Sequence, residues 1–104
     1  MEDIKKRIRK FRSDREWEQF HTPQNLAKAI SIESGELLEN FLWNNNFDKD
    51  AVSEELADVV IYCLYMADSL GVKIEDIINN KIDKNENKYP VEKAKGTSKK
   101  YTEL

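Results

Sequence analysis

A chain of 104 residues is long enough for one domain, but it buries only about 60–65% of its unfolded surface, so its core is thin. Charged residues make up 36% of the sequence and hydrophobic residues 39%, a mixture that favours long amphipathic helices over a turn-rich sheet. The net charge of −3 argues mildly against a nucleic-acid binder, the single Cys63 excludes an intrachain disulfide, and no apolar run is long enough to span a membrane. These features predict a soluble, cytoplasmic protein, and the thin core makes a homo-oligomer a reasonable expectation.

The first predicted helix is indicated by its apolar periodicity, and the second by a clear start signal. The first covers residues 3–19, where the apolar side chains recur at spacings of four and three: Ile4, Ile8 and Phe11. The second begins with Thr22 as N-cap and Pro23 at the first helical position, where its missing N–H costs nothing. It is expected to run to about Phe41 or Trp43, followed by a polar turn at residues 44–46.

Two further helices follow, and both have clear stop signals. The third is predicted from about residues 48–53 to Leu70, with Gly71 as the residue that ends it. The fourth runs from about Ile74 to Lys88 and is stopped by Pro90. The predicted fold is therefore all-α, a four-helix bundle in residues 1–90 followed by a Lys-rich C-terminal tail in residues 91–104.

Two pairs of acidic residues lie beside the apolar faces of the second and third helices. On a helical wheel, Glu33 falls inside the apolar arc of the second helix, and Glu36 lies on the same side. On the third helix, Glu55 and Asp58 share a stripe with Tyr62 along the border of the apolar arc. If the two helices are antiparallel neighbours, as a short connection permits, the four carboxylates converge.

Convergent carboxylates repel one another, by roughly 4 kcal/mol for two charges about 4 Å apart at an effective dielectric of about 20. Either some of them take up protons or a cation lies among them. Oxygen ligands without His or thiolate select hard ions, which predicts Mg²⁺, with Mn²⁺ as a substitute, and phosphoryl chemistry. With 20 acidic residues in the chain, such pairs also arise by chance on solvated faces. Glu33 inside an apolar stripe favours the metal site, because a buried unpaired carboxylate is costly.

Several segments resemble one enzyme family. The stretches IESGEL (32–37) and ELADV (55–59) match the E-x-x-E…E-x-x-D signature of the MazG-like, all-α nucleoside triphosphate pyrophosphohydrolases. The stretches DREWEQFH (14–21), PQNL (23–26) and KIDKNENKYP (81–90) resemble the dCTP pyrophosphatase branch of that family. Two positions depart from relatives: Ile32 stands where many carry a further Glu, and Ile8 where a dCTP-type relative has a nucleotide-contacting His.

The resemblance implies a helical homodimer, or a homotetramer built from dimers, that cleaves a nucleoside triphosphate between its α and β phosphates. A pyrimidine nucleotide such as dCTP is the expected substrate, and clearing the nucleotide pool is the expected role. The resemblance also implies two sets of site residues. The Mg²⁺ ligands are Glu33, Glu36, Glu55 and Asp58. The residues that contact the nucleotide or approach its phosphates are Trp17, Glu18, Gln19, Phe20, His21, Trp43, Tyr62, Lys81, Asn85, Lys88 and Tyr89.

Simpler roles compete with these assignments. Most Trp residues are core or interface anchors, and the single His21, beside Phe20 at a helix boundary, is typical of a structural histidine. Lys81 and Lys88 are as well explained by a solvated face as by phosphate binding. We assign Glu36 as the carboxylate that accepts a proton from the attacking water. Two other functions compete: a non-catalytic helical interaction or regulatory dimer, and a family member that acts on a modified nucleotide.

Overall fold

A computed structural model describes residues 1–43 and 46–104, and these ranges are mostly helical and contain no strand. The helices are α1 (Glu2–Asp14), α2 (Pro23–Glu39), α3 (Lys49–Leu70), α4 (Ile74–Lys88) and the short α5 (Val91–Ala94). Two 3₁₀ helices cover Glu18–Phe20 and Tyr101–Glu103. The all-α class is confirmed, and the four long helices occur in the predicted order. None of the helices described has both the length and the apolar character needed to cross a bilayer.

Side-chain caps pair backbone N–H groups at the starts of α2 and α3. The Thr22 hydroxyl accepts a hydrogen bond from the backbone N–H of Asn25 at 3.2 Å, and Pro23 occupies the first turn. The carboxylate of Asp48 accepts from the N–H of Asp50 at 2.9 Å. At the end of α3, Gly71 adopts a left-handed φ of 68°. These caps, each worth about 1 kcal/mol, fix where the acid-bearing helices begin and end.

Two predicted boundaries were too long. The first helix ends at Asp14, not at residue 19, because Glu16 has a left-handed φ of 54° that no continuous helix accommodates. The second ends at Glu39, before Phe41 or Trp43. There the side-chain amide of Asn40 donates to the carbonyl oxygens of Glu36 and Leu37, both at 3.2 Å, and so closes the last turn. Of the predicted polar turn at 44–46, residues 44 and 45 lie outside the described ranges.

Helices α2 and α3 are antiparallel. The His21 ring, just before α2, lies 4.8 Å from the ring of Tyr65 in the last third of α3. Beyond the other end of α2, the rings of Phe41 and Phe47 are 5.1 Å apart, next to the start of α3. This arrangement places the C-terminal half of α2 beside the N-terminal half of α3, where the predicted acids lie.

The described core is small, as the chain length predicts. The buried apolar residues are Ile8 on α1, Leu26 on α2, and Leu64, Tyr65 and Ala67 on α3. The Tyr65 hydroxyl donates to the carbonyl oxygen of Ile8 at 2.6 Å, which joins α1 to α3 inside this core. Many large apolar side chains remain exposed on the single chain, and Trp43 is 88% exposed.

The chain divides into two compact units, residues 1–71 and 72–104. The first unit contains α1 to α3. In the second, the ring of Tyr101 lies 6.2 Å from the ring of Tyr89, and the Lys88 ammonium lies 4.9 Å above the Tyr101 ring. The C-terminal 3₁₀ helix thus contacts the end of α4. The predicted boundary between a domain and a tail at residue 90 stays a prediction.

Candidate metal and nucleotide site

Three acidic side chains from α2 and α3 meet in the first unit. Glu33 projects from α2, and Glu55 and Asp58 project from α3, so that one carboxylate oxygen of each lies within 4.8 Å of the others. Glu33 and Glu55 are half-buried and Asp58 is exposed. The antiparallel packing of the two helices and the three-residue spacing on α3 produce this cluster, which we call the acid cluster.

Glu36, the fourth predicted ligand, lies beside the acid cluster. It is exposed, and it lines a polar groove of about 320 Å³ together with Glu39, Asn40 and Glu55. Its charge is close enough to raise the pKa of both Glu33 and Glu55. Glu36 is therefore placed to act at the outer edge of the cluster, where water has access.

The electrostatics of the acid cluster favour uptake of positive charge. Burial, followed by a hydrogen bond with Glu36 and the surrounding carboxylates, raises the pKa of Glu33 to about 7. Burial, and then the charge of Glu36, also raises the pKa of Glu55. The Oε2 atoms of Glu33 and Glu55 are buried without a hydrogen-bond partner among the described residues. Orphaned carboxylate oxygens from an all-oxygen donor set fit a hard divalent cation such as Mg²⁺ or Mn²⁺.

The raised pKa of Glu33 predicts a pH-dependent stability in metal-free protein. Its folded-state pKa of about 7 exceeds the ordinary 4.5, so the folded state binds this proton more tightly than the unfolded chain. The resulting stability is complete below pH 4.5 and is lost as the pH rises through about 7. After allowance for solvent screening we expect on the order of 1 kcal/mol.

Denaturant unfolding in the presence of a chelator, at pH values on both sides of this window, measures the effect. Glu33→Gln should remove part of the decline, whereas Glu54→Gln, an exposed acid on α3, should leave it intact. A decline of the same size in the Glu33→Gln variant would show that a raised pKa of Glu33 is not the cause of the pH dependence.

An apolar groove of about 690 Å³ lies next to the acid cluster, between α1, the turn after it and α3. Three residues predicted to contact a nucleotide line this groove: Trp17, His21 and Tyr62. Asp58 lines it as well, so one carboxylate belongs to both the groove and the cluster. Its volume is within the usual range of small-molecule sites, and its mostly apolar wall suits a flat ring.

Other predicted contact residues are engaged locally or lie elsewhere. The side-chain amide of Gln19 donates to the carbonyl oxygen of Glu16 at 2.9 Å. The carbonyl oxygen of Phe20 accepts from the side-chain amide of Asn25 at 3.0 Å, and a Glu18 oxygen lies 3.9 Å from Nε of Arg12. None of these three is among the groove-lining residues, nor is the exposed Trp43. Lys81, Asn85, Lys88 and Tyr89 belong to the second unit, so their contact with a nucleotide stays a prediction.

The wall of the groove contains residues that the sequence did not single out. Tyr65 is only 4% exposed and lines the groove beside His21. The guanidinium of Arg12 lies 5.0 Å from its ring centre, and Asp68 is 3.5 Å from the same guanidinium. A spacing of three from Tyr62 was the only sequence signal for Tyr65. The link between Arg12 and Asp68 spans 56 residues and has no local signal.

Comparison with known proteins identifies the family. The MazG-like family matches residues 28–104, which include Glu33, Glu36, Glu55 and Asp58. The chain belongs to the MazG-like family. It is 38% identical to dCTP pyrophosphatase 1 from Homo sapiens and 37% identical to dCTP pyrophosphatase 1 from Mus musculus. Both alignments cover all of this chain and 67% of the relative.

A solved structure supports the same assignment. A pyrophosphatase from Archaeoglobus fulgidus is 42% identical and superposes with a TM-score of 0.80. The match covers 86% of this chain and 92% of that one. The resemblance to the MazG-like family is confirmed, and the fold that it implied is the fold observed.

Proposed function

We propose that this MazG-like protein hydrolyses a nucleoside triphosphate, with dCTP as the first candidate, to the monophosphate and pyrophosphate in a Mg²⁺-dependent reaction. One observation carries the proposal: three carboxylates within 4.8 Å of one another adjoin, through Asp58, a groove large enough for a nucleoside. The relatives named dCTP pyrophosphatase 1 support both the reaction and the base.

The acid cluster supplies the ligands for the metal. Glu33, Glu55 and Asp58 would hold the ion, with Glu36 at the edge of the set. An Mg²⁺ ion held by these residues would supply charge neutralisation for the phosphates and activation of the attacking water. Glu36, exposed beside the cluster, is our assignment for the carboxylate that accepts the proton of that water.

The groove supplies contacts to the nucleoside. Trp17 lies edge-to-face against Phe11, with ring centres 5.7 Å apart, and it remains 42% exposed, so part of its ring is free to contact a base. Stacking of a base on an aromatic ring is worth about 1–3 kcal/mol. Tyr62 lines the groove one turn after Asp58, between the nucleoside wall and the metal ligands. A base in the groove therefore directs its phosphates towards the acid cluster.

The working form is a homo-oligomer, either a dimer or a tetramer. Four large apolar residues on and after the second half of α2 are at least 62% exposed on the single chain: Ile32, Leu38, Leu42 and Trp43. Exposed large apolar side chains concentrated in one segment of the chain suit a protein interface. A second copy of the chain covers these side chains and extends the small core.

The direct test incubates folded protein with a panel of nucleoside triphosphates and Mg²⁺ and measures pyrophosphate. We expect dCTP to yield dCMP and pyrophosphate in equal amounts, without free phosphate, and a chelator to stop the reaction. Turnover of modified nucleotides alone would show that the protein is a family member that acts on a modified nucleotide. No pyrophosphate from any nucleotide would refute the enzymatic proposal and favour a helical interaction module.

A further inference from the structure

Two buried nitrogen atoms near Tyr65 have no hydrogen-bond partner among the described residues. One is Nε of Arg12, and the other is Nδ1 of His21. The guanidinium nitrogen can only donate, whereas an imidazole nitrogen without a proton accepts. Buried polar atoms of this kind are nearly always paired, with protein or with an ordered water, so this donor and this acceptor require an explanation.

Both side chains lie against the same aromatic ring. The guanidinium carbon of Arg12 is 5.0 Å from the ring centre of Tyr65, and the His21 ring centre is 4.8 Å from it. Tyr65 is itself fixed, because it is 4% exposed and its hydroxyl donates to the carbonyl oxygen of Ile8 at 2.6 Å. This ring is therefore a rigid support that brings Arg12 and His21 into one neighbourhood.

Asp68, one turn after Tyr65 on α3, also holds Arg12 in place. It accepts two hydrogen bonds from Arg9, at 2.8 and 3.0 Å, and lies 3.5 Å from the guanidinium of Arg12. The Arg12 side chain is only 14% exposed, so it is packed rather than solvated. Because Asp68 and Tyr65 fix this cation, the direction of its Nε–H is also fixed, and the Glu18 oxygen beside Nε lies 3.9 Å away, beyond hydrogen-bond distance.

We propose that Arg12 is a positioning residue for His21: its Nε–H pairs with Nδ1 of His21 across one bridging water, and this leaves the Nε2–H of His21 as a donor to the base. The inference rests on the proposed function, because it places a nucleoside in the groove that His21 lines. An acceptor of the base, such as a ring nitrogen or carbonyl oxygen, is the group that Nε2–H would recognise. The pairing requires a neutral imidazole, since a proton on Nδ1 would oppose the donor of Arg12.

The surroundings favour the neutral ring. Burial, and then the charge of Arg12, lower the pKa of His21, whereas the charge of Glu18 raises it. The groups that face His21 are Arg12 from α1, Glu18 from the 3₁₀ helix and Tyr65 from α3. The groove that it lines also contains Arg7, Asp58 and Tyr62. The charge of Arg12 lowers the pKa of His21 more than the charge of Glu18 raises it, so the neutral imidazole is favoured.

The chain is well suited to a spectroscopic test, because His21 is its only histidine. Protein labelled with ¹⁵N-histidine, titrated by NMR, should show one imidazole in the Nε2–H tautomer with a pKa below its ordinary value. Arg12→Gln should populate both tautomers and raise the pKa of His21 above its wild-type value. Arg12→Lys, which keeps the positive charge, should bring the pKa part of the way back down to the wild-type value. Lys10→Gln, an equal change of charge at an exposed site on α1, should alter neither.

Kinetics provide the second readout. With the preferred nucleotide, Arg12→Gln should raise KM roughly 3- to 10-fold, the value of one hydrogen bond, with kcat little changed. The rise in KM on acidification should also begin at a higher pH than in the wild type. A KM and pH profile identical to those of the wild type would overturn the proposal. A wild type that releases no pyrophosphate from any nucleotide would refute the proposed function, while the NMR spectra would still decide the pairing.

A further variant guards against misfolding of the Arg12 substitutions. Glu18 is half-exposed, and Glu18→Gln removes the charge that favours the imidazolium. The pKa of His21 should then fall further, with the Nε2–H tautomer retained. A wild-type ring in the Nδ1–H tautomer, or an unchanged pKa in Glu18→Gln, would contradict the arrangement.

Discussion

Replacing Asp58 with Asn is expected to lower kcat/KM for the preferred nucleotide by at least about 100-fold, because outer-shell changes around metals already cost about 10- to 100-fold. Asn keeps the size of the side chain but removes the negative charge that a divalent cation requires. Asp58 lies both in the acid cluster and on the groove wall, so under the proposed function we expect its loss to affect both metal binding and the alignment of the phosphates.

The matched control is Glu54→Gln, which makes the same change of charge on the same helix. Glu54 is exposed and lies one helical turn before Asp58, but it is not a member of the acid cluster, and its charge is not among those that raise the pKa of Glu33 or Glu55. We expect Glu54→Gln to retain nearly full activity, with both variants equally helical by circular dichroism. Equal losses in the two variants would mean that net charge, rather than a metal ligand, controls turnover.

The helix boundaries that depend on local rules were predicted well. Thr22 and Pro23 mark the start of α2, Gly71 follows the end of α3, and α4 covers Ile74–Lys88 as predicted. Each of these signals acts within one turn of the chain, so a single sequence contains it. The end of α1 was missed because the left-handed backbone of Glu16 has no signal in the residue type.

The acid cluster was foreseeable from periodicity, and the groove was only partly so. An acid such as Glu33 inside an apolar arc is conspicuous, and the short connection allowed its helix to pair with the next one. The support for His21 could not be predicted, because Arg12 and Asp68 meet only when α1 packs against α3. For Trp43, which the resemblance places at the nucleotide, the single chain shows an exposed side chain, and its role stays a prediction.

A divalent cation is expected to stabilise the folded protein strongly. Without it, the carboxylates of Glu33 and Glu55 keep buried oxygens unpaired, and burial, followed by the neighbouring carboxylates, raises the pKa of both. An ion at about 100 times its dissociation constant adds about 2.7 kcal/mol, since it binds the folded state alone. For a domain of this size that corresponds to a rise in Tm of roughly 10–20 °C.

The most direct measurement is therefore the Tm of wild type and of Glu55→Gln, at one protein concentration, with Mg²⁺ titrated from zero after chelation. The wild type should rise to a plateau, Mn²⁺ should produce the same behaviour, and Glu55→Gln should lose most of the shift. A wild type that melts at one temperature throughout, or a Glu55→Gln variant with an equal shift, would contradict a metal centre between α2 and α3.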